Sequence, residues 1–186
     1  MDATRHFAIF ETAAGHCGIA WSAKGVTRFH LPERDPAAAQ RAMHRKAAGA
    51  EPGDPPPAIA RIVAEVRRYF DGETVDFKDV GLNLPAMNAL YVDIYDATRG
   101  LGWGETTTYG ALARMLGRGP EVARDVGQAM AKNPVPLIIP CHRVLAAGGK
   151  PGGFSAPGGV NAKVRMLEME GVSVAPAEPP QRSLAF

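Results

Sequence analysis

Apolar and polar residues alternate along residues 6–31. Ala14-Gly15 and Lys24-Gly25 supply turns within that stretch, which predicts a three-stranded β-meander. Cys17, Ile19 and Trp21 fall on one face of its middle strand, so Cys17 reads as a small core residue. Residues 35–57 are rich in Ala and Pro and end in Pro55-Pro56-Pro57; they read as a loop with room for one short helix. The period then changes. Ile59, Ile62, Val63, Val66 and Phe70 recur at helical spacing until Asp71-Gly72 stops them. Residues 75–84, VDFKDVGLNL, read as one more strand, and Asn83-Leu84-Pro85 as a linker.

The second half is helical and rich in loops. ALYVDIYDATRGL, residues 89–101, reads as a helix. Thr107 or Thr108 caps another through YGALARML, which Gly117 ends. Gly119-Pro120 opens a third, EVARDVGQAMAK, with Pro at the favoured first position. Two short helices joined by a tight turn form a helix-turn-helix candidate. On the second of them Val122, Val126 and Met130 face inward at i, i+4 and i+8, and Arg124 points the opposite way. Gly127, Gln128 and Ala131 are small or uncharged neighbours on the outward side, so that face can approach a nucleic-acid groove closely.

Composition narrows the class without deciding it. The 186 residues suffice for one large domain or two small ones on a shared core. No run approaches the ~18 apolar residues of a membrane helix, and the N-terminus is too polar for a signal peptide. A cytoplasmic protein is expected, with Cys17 and Cys141 as free thiols. The net charge is +2. Residues 99–150 hold seven of the basic side chains (Arg99, Arg114, Arg118, Arg124, Lys132, Arg143 and Lys150) against Glu105, Glu121 and Asp125, which suits a polyanionic partner.

Residues 133–144, NPVPLIIPCHRV, carry the chemistry. Three prolines stiffen the chain around one thiol, and a histidine follows it directly. A rigid mount suits a nucleophile that must meet its target atom closely. A neighbouring base eases formation of the reactive thiolate.

PCHRV preceded by NPVP resembles the signature of the O6-alkylguanine-DNA alkyltransferases, the methylated-DNA–protein-cysteine methyltransferases, and the match extends over about residues 82–172. The resemblance implies an α/β (α+β) fold. A small three-layer-like α/β domain would occupy residues 1–83. A helical domain with a winged-helix-like helix-turn-helix and an active-site loop would occupy 84–172, and 173–186 would form a disordered tail. It implies that Cys141 accepts an alkyl group from O6-alkylguanine, or from O4-alkylthymine, in double-stranded DNA. His142 would deprotonate Cys141 through a water, and Glu170 would orient His142. Asn133 would tie the helix-turn-helix to the site strand. Arg124 would fill the gap left by a base flipped through the minor groove, and Tyr109 would push on the 3′ phosphate, with Ala123, Gly127 and Gln128 also at the DNA. Val144, Phe154, Ser155, Met130 and Pro136 would form the lesion pocket. Each molecule would react once.

The chain also departs from that family. NALYVDIYD replaces a Phe-Gln-Arg-like helix opening, and the pocket loop is longer by about two residues at Ala156-Pro157. Asp125 and Glu121 place acid on the recognition helix. Ser22 and Thr27 stand near the places where some members bind zinc, so no metal and no cofactor are expected, and the protein is expected to be a monomer. Three other readings are a lesion sensor that flips bases without transfer, a thiol hydrolase or redox protein, and a plain DNA-binding regulator. The presence of Cys141, His142 and Glu170 together disfavours the first.

Overall fold

In the computed structural model, which describes residues 5–174, the predicted meander forms strands β1 (Arg5–Thr12), β2 (Gly15–Ser22) and β3 (Gly25–Glu33). Neighbouring strands pair antiparallel, and the hairpins turn at residues 13–14 and 23–24. Gly15 and Gly25 enter the following strands with φ of +126° and +138°, a region costly for any residue with a Cβ.

Residues 35–57 hold the one short helix expected among the loops, and a strand that was not expected. The helix, α1 (Pro36–Lys46), has eleven residues, and the short strand, β4 (Ala50–Pro52), runs parallel to β1. Asp35 caps α1 by accepting from the Ala38 amide at 2.7 Å. The inward face of α1 is Ala39, Ala42 and Met43, and alanines give little contrast against polar neighbours. It fits because Gly18 and Ala20 of β2 present almost no side chain: a Cβ on Gly18 would collide with Met43. The sheet order is β3-β2-β1-β4. Helix α2 (Pro57–Phe70) covers the other face, packing Ile59, Val63, Val66 and Tyr69 against Cys17, Ile19 and Trp21. Helix, sheet and helix make three layers.

The strand expected over 75–84 does not form. Only Val26 bridges to this segment, through the Gly81 carbonyl and the Asn83 amide. The carbonyls of Phe77, Lys78 and Val80 are taken instead by the Arg99 guanidinium, at 2.6 Å for Lys78, so they cannot serve a sheet ladder.

Helix α3 (Ala89–Arg99) is capped by Asn88. The short strand β5 (Thr107–Thr108) leads into α4 (Tyr109–Met115), and Thr108 is its cap, accepting from Ala111 at 3.1 Å. A single 3-10 turn over Pro120–Val122 precedes α5 (Ala123–Ala131). Val126, Ala129 and Met130 of α5 pack with Leu112, Ala113 and Ile94, giving the predicted helix-turn-helix a core of its own elements. Another 3-10 turn, Cys141–Arg143, leads into β6 (Val144–Leu145), which pairs parallel with β5; α6 (Gly159–Met169) is the last helix among the described residues. The main apolar cluster runs unbroken from Phe10 and Ile19 through Tyr69 to Val126, Ile139 and Met166, so both halves share it. Most of the tail expected to be disordered, residues 175–186, lies outside the described residues. Among the described residues no helix is long and apolar enough to cross a membrane.

Candidate active site and nucleic-acid interface

The loop between α5 and Cys141 is held from within. Asn133 donates from Nδ2 to the Ile139 carbonyl at 2.8 Å and accepts the Val135 amide on Oδ1 at 3.0 Å. Pro136 bridges to Ile139 around Leu137, which takes a left-handed φ of +77°. A branched residue there carries strain of about 1–3 kcal/mol, sustained because Leu137, Ile138 and Ile139 are all buried in the shared core. Cys141 thus opens a 3-10 turn at the end of a fixed loop rather than lying on a strand. Its amide donates to the Ile139 carbonyl at 2.7 Å.

Cys141 is 5% exposed and His142 fully buried. Burial pushes the Cys141 thiol up, while the Asn133 side chain, the Lys163 ammonium and the backbone amides of Cys141 and His142 favour its thiolate. His142 Nε2 lies 2.8 Å from Glu170 Oε1. Burial lowers the His142 pKa, the hydrogen bond to Glu170 raises it, and burial prevails. The imidazole is therefore neutral at neutral pH, with its proton on Nε2 toward the carboxylate. Its buried Nδ1 is an acceptor with no hydrogen-bond partner among the described residues.

Glu170 is held from four directions. Arg143 donates through Nε to Oε2 at 2.8 Å and through Nη2 to Oε1 at 2.9 Å. Tyr69 donates its hydroxyl to Oε1 at 2.8 Å, and the Gly104 amide donates to Oε2 at 3.2 Å. Burial alone would raise this carboxyl, but the hydrogen bonds and charges of His142 and Arg143 overcome it and hold the pKa at about 2.

Tyr69, Arg143 and Lys163 were not singled out as site residues by the sequence reading. Lys163 is 1% exposed on α6, whose buried positions are Lys163, Met166 and Leu167, with Val160 and Val164 half-buried. Its Nζ donates to the Val144 carbonyl at 2.6 Å and sits 5.8 Å and 5.9 Å from the Tyr109 and Phe154 ring centroids. Burial lowers its pKa to about 8, and Cys141 partly offsets that.

A cavity of about 430 Å³ opens on Cys141, lined by Tyr109, Gly127, Met130, Ala131, Gly153, Phe154 and Ser155. Tyr109, Gly127, Met130, Phe154 and Ser155, half of the residues expected at the lesion pocket or the DNA, converge here. Ser155 donates its hydroxyl to the Ala131 carbonyl at 3.0 Å. Val144 is fully buried and is not among the residues lining either cavity at Cys141, and its carbonyl is the group that Lys163 engages. Pro136 and Asn133 line a second cavity on Cys141. Arg124 and Gln128 are exposed on α5, with Ala123 and Gly127 half-exposed beside them. The basic segment needs a correction. Arg143 is spent on Glu170 and the Leu101 carbonyl, and Arg99 on backbone carbonyls; Arg114, Arg118 and Arg124 are exposed.

Residues 89–172 match the family model described as 6-O-methylguanine DNA methyltransferase, DNA binding domain. A methylated-DNA–protein-cysteine methyltransferase of Methanothermobacter thermautotrophicus is 34% identical over 157 residues, 84% of this chain and 80% of that protein. A DNA base-flipping protein of Thermus thermophilus is 38% identical over 111 residues, 60% of this chain and 72% of its own. The crystal structure of Mycobacterium tuberculosis OGT in complex with DNA superposes with a TM-score of 0.73 at 30% identity, covering 89% of this chain and 92% of that one. With a buried Cys-His-Glu constellation beside a helix-turn-helix, and likeness extending over both halves, the chain belongs to the methylated-DNA–protein-cysteine methyltransferase family.

Proposed function

We propose that the protein repairs alkylated DNA by direct reversal, with Cys141 taking the alkyl group of an O6-alkylguanine in double-stranded DNA. The observation that carries this is the relay itself. Glu170 fixes the Nε2–H tautomer of His142, and that leaves the buried Nδ1, without a hydrogen-bond partner among the described residues, free to act as the base for the thiol of the preceding residue, Cys141. In the step proposed, the Cys141 proton passes through a bridging water to His142 Nδ1. The thiolate attacks the alkyl carbon, the C–S bond forms and the C–O bond breaks. The guanine leaves with the electron pair and takes up a proton. Lys163 favours the thiolate electrostatically. The thioether has no hydrolytic exit, so each molecule turns over once.

The flipped base fits the cavity between α5, Tyr109 and the Phe154–Ser155 loop. Arg124 enters the stack it leaves, and Tyr109 acts at the mouth of the cavity. Ala123, Gly127 and Gln128 let α5 lie close to the minor groove. Free thiols at Cys17 and Cys141 suit a reducing cytoplasm, where we place the protein.

Incubation with a duplex bearing one O6-methylguanine, followed by intact and peptide mass spectrometry, tests the reading. One methylene unit should appear on Cys141, saturate at one per molecule, and vanish in Cys141→Ser. Binding of the lesion without any mass gain would instead make this chain a sensor.

A further inference from the structure

Two cavities meet at Cys141. The base cavity lies against α5 and Tyr109. The second, of about 270 Å³, shares Met130, Ala131, Cys141, Phe154 and Ser155 with it and continues to β3 and the end of α1, where Arg28, His30 and Lys46 line it. Lys132 and Asn133 stand on its α5 side. Ala156 and Pro157, at the place where the loop is longer than the family pattern, form part of its wall.

We propose that this second cavity receives the alkyl substituent of the lesion and favours chains that end in a carboxylate, with Arg28 and Lys46 as the recognising cations. The inference rests on the reading of Cys141 as the acceptor.

No Asp or Glu is among the lining residues. Arg28 is half-buried and forms no ion pair among the described residues. Lys46 Nζ lies 3.3 Å from His30 Nδ1, and the acid of this region, Glu33, is occupied by His30 Nε2 at 3.0 Å. Burial lowers the pKa of Lys46, and Arg28 and Arg45 lower it further. Glu33 offsets part of this for Lys46, but neither cation makes an ion pair with an acid among the described residues. The same pair also lines a neighbouring cavity with Arg5 and Lys24, again without an Asp or Glu, so the potential is positive on both sides. A carboxylate led here by an alkyl chain would meet charge-assisted donors, whereas a neutral chain would gain contact alone. The chemistry at the reacting carbon is unchanged. Sγ displaces the guanine oxygen, the C–S bond replaces the C–O bond, and the carboxylate stays an unreacted terminus.

The test uses duplexes carrying O6-(3-carboxypropyl)guanine or its uncharged isostere O6-(3-carbamoylpropyl)guanine, with O6-methylguanine alongside. Single-turnover rates are measured at saturating protein. The acid should transfer faster than the amide by roughly fivefold, the scale of a partly exposed charge pair. The ratio should fall toward one in Arg28→Gln and in Lys46→Gln, and also in wild-type protein at high salt. Melting curves show whether either variant is folded, and the other variant and the salt series stand if one is not. An acid-to-amide ratio of one or less in the wild type, or a ratio that neither variant nor salt moves, overturns the inference. Absence of methyl transfer overturns the reading of Cys141 instead.

Discussion

Glu170 accepts five hydrogen bonds from four residues, and this gives its ionisation a consequence for stability. Its pKa falls from an ordinary value near 4.5 to about 2 in the folded protein. Between those values the unfolded chain binds a proton that the native state does not, so stability rises with pH across the window. The contribution is complete above pH 4.5 and is lost as pH falls toward 2; it amounts to about 3 kcal/mol. His142 acts in the same direction at higher pH. Its lowered pKa means that the unfolded state gains a proton first as pH falls through the ordinary histidine range. Glu170→Gln should flatten the stability slope between pH 4.5 and 2 and cost about 3–5 kcal/mol at pH 7, because Arg143 is left buried without its partner. Urea melts across pH check both effects, and an unchanged slope would reassign the acid sensitivity to other carboxylates. The residues around Glu170 mark where sequence reading stops. Cys141, His142 and Glu170 could be named because a compact motif and a family resemblance carry them. Tyr69, Arg143 and Lys163 could not, because a tyrosine in a helical stripe, or a single basic residue, looks the same in sequence whether it meets solvent or a buried partner. Only the fold decides that Lys163 lies under Tyr109 and Phe154.

At the scale of elements, periodicity served where side chains differ strongly in size and polarity. Strands β1 to β3 and helices α2 to α5 follow from alternation, helical spacing and caps, and Asn88 and Thr108 cap α3 and α4 through their side chains. Helix α1 was legible only as room for one short helix, without bounds or face, because its buried face is mostly alanine and its partner surface is the equally small pair Gly18 and Ala20. That pairing is close enough to be tested by one methyl group. Gly18→Ala should push Met43 and α1 off the sheet and destabilise the protein by about 1–3 kcal/mol. Denaturant melts measure the loss, and a second change, Met43→Ala, should recover part of it by making room. Full stability of the single variant would mean that α1 packs more loosely than the Gly18–Met43 approach requires. The strand misread at 75–84 has the opposite cause. Its alternation is real, since Val75, Phe77 and Val80 are buried, but Arg99 captures the carbonyls that a ladder would need. Side-chain pattern reports which residues face inward and says nothing of where the backbone hydrogen bonds go.

For the whole molecule the question is whether the halves act separately. The segment 83–88 has no regular structure and looks like a boundary. Yet the Phe29 amide of β3 donates to the Pro134 carbonyl at 3.0 Å, which fastens the meander to the active-site loop. Tyr69 of α2 reaches across to Glu170 and lies 3.4 Å from His142 Nε2, so the relay is completed by the half that carries no nucleophile. Arg28 and Lys46 of that same half line a cavity on Cys141. Shared packing of this extent couples unfolding, because neither half can lose its fold without exposing the other's core. The two tryptophans sense different surroundings: Trp21 is buried in β2, and Trp103 packs edge-on against Tyr69 of α2 at 5.3 Å, where the halves meet. Melting followed by fluorescence of Trp21→Phe, which leaves Trp103, and of Trp103→Phe, which leaves Trp21, should trace the same transition as far-ultraviolet circular dichroism of each variant. A probe-dependent midpoint within one variant would show the halves melting apart. The N-terminal layers would then be a separable cover for the active site, rather than the frame that holds Glu170 and the Cys141 loop in register.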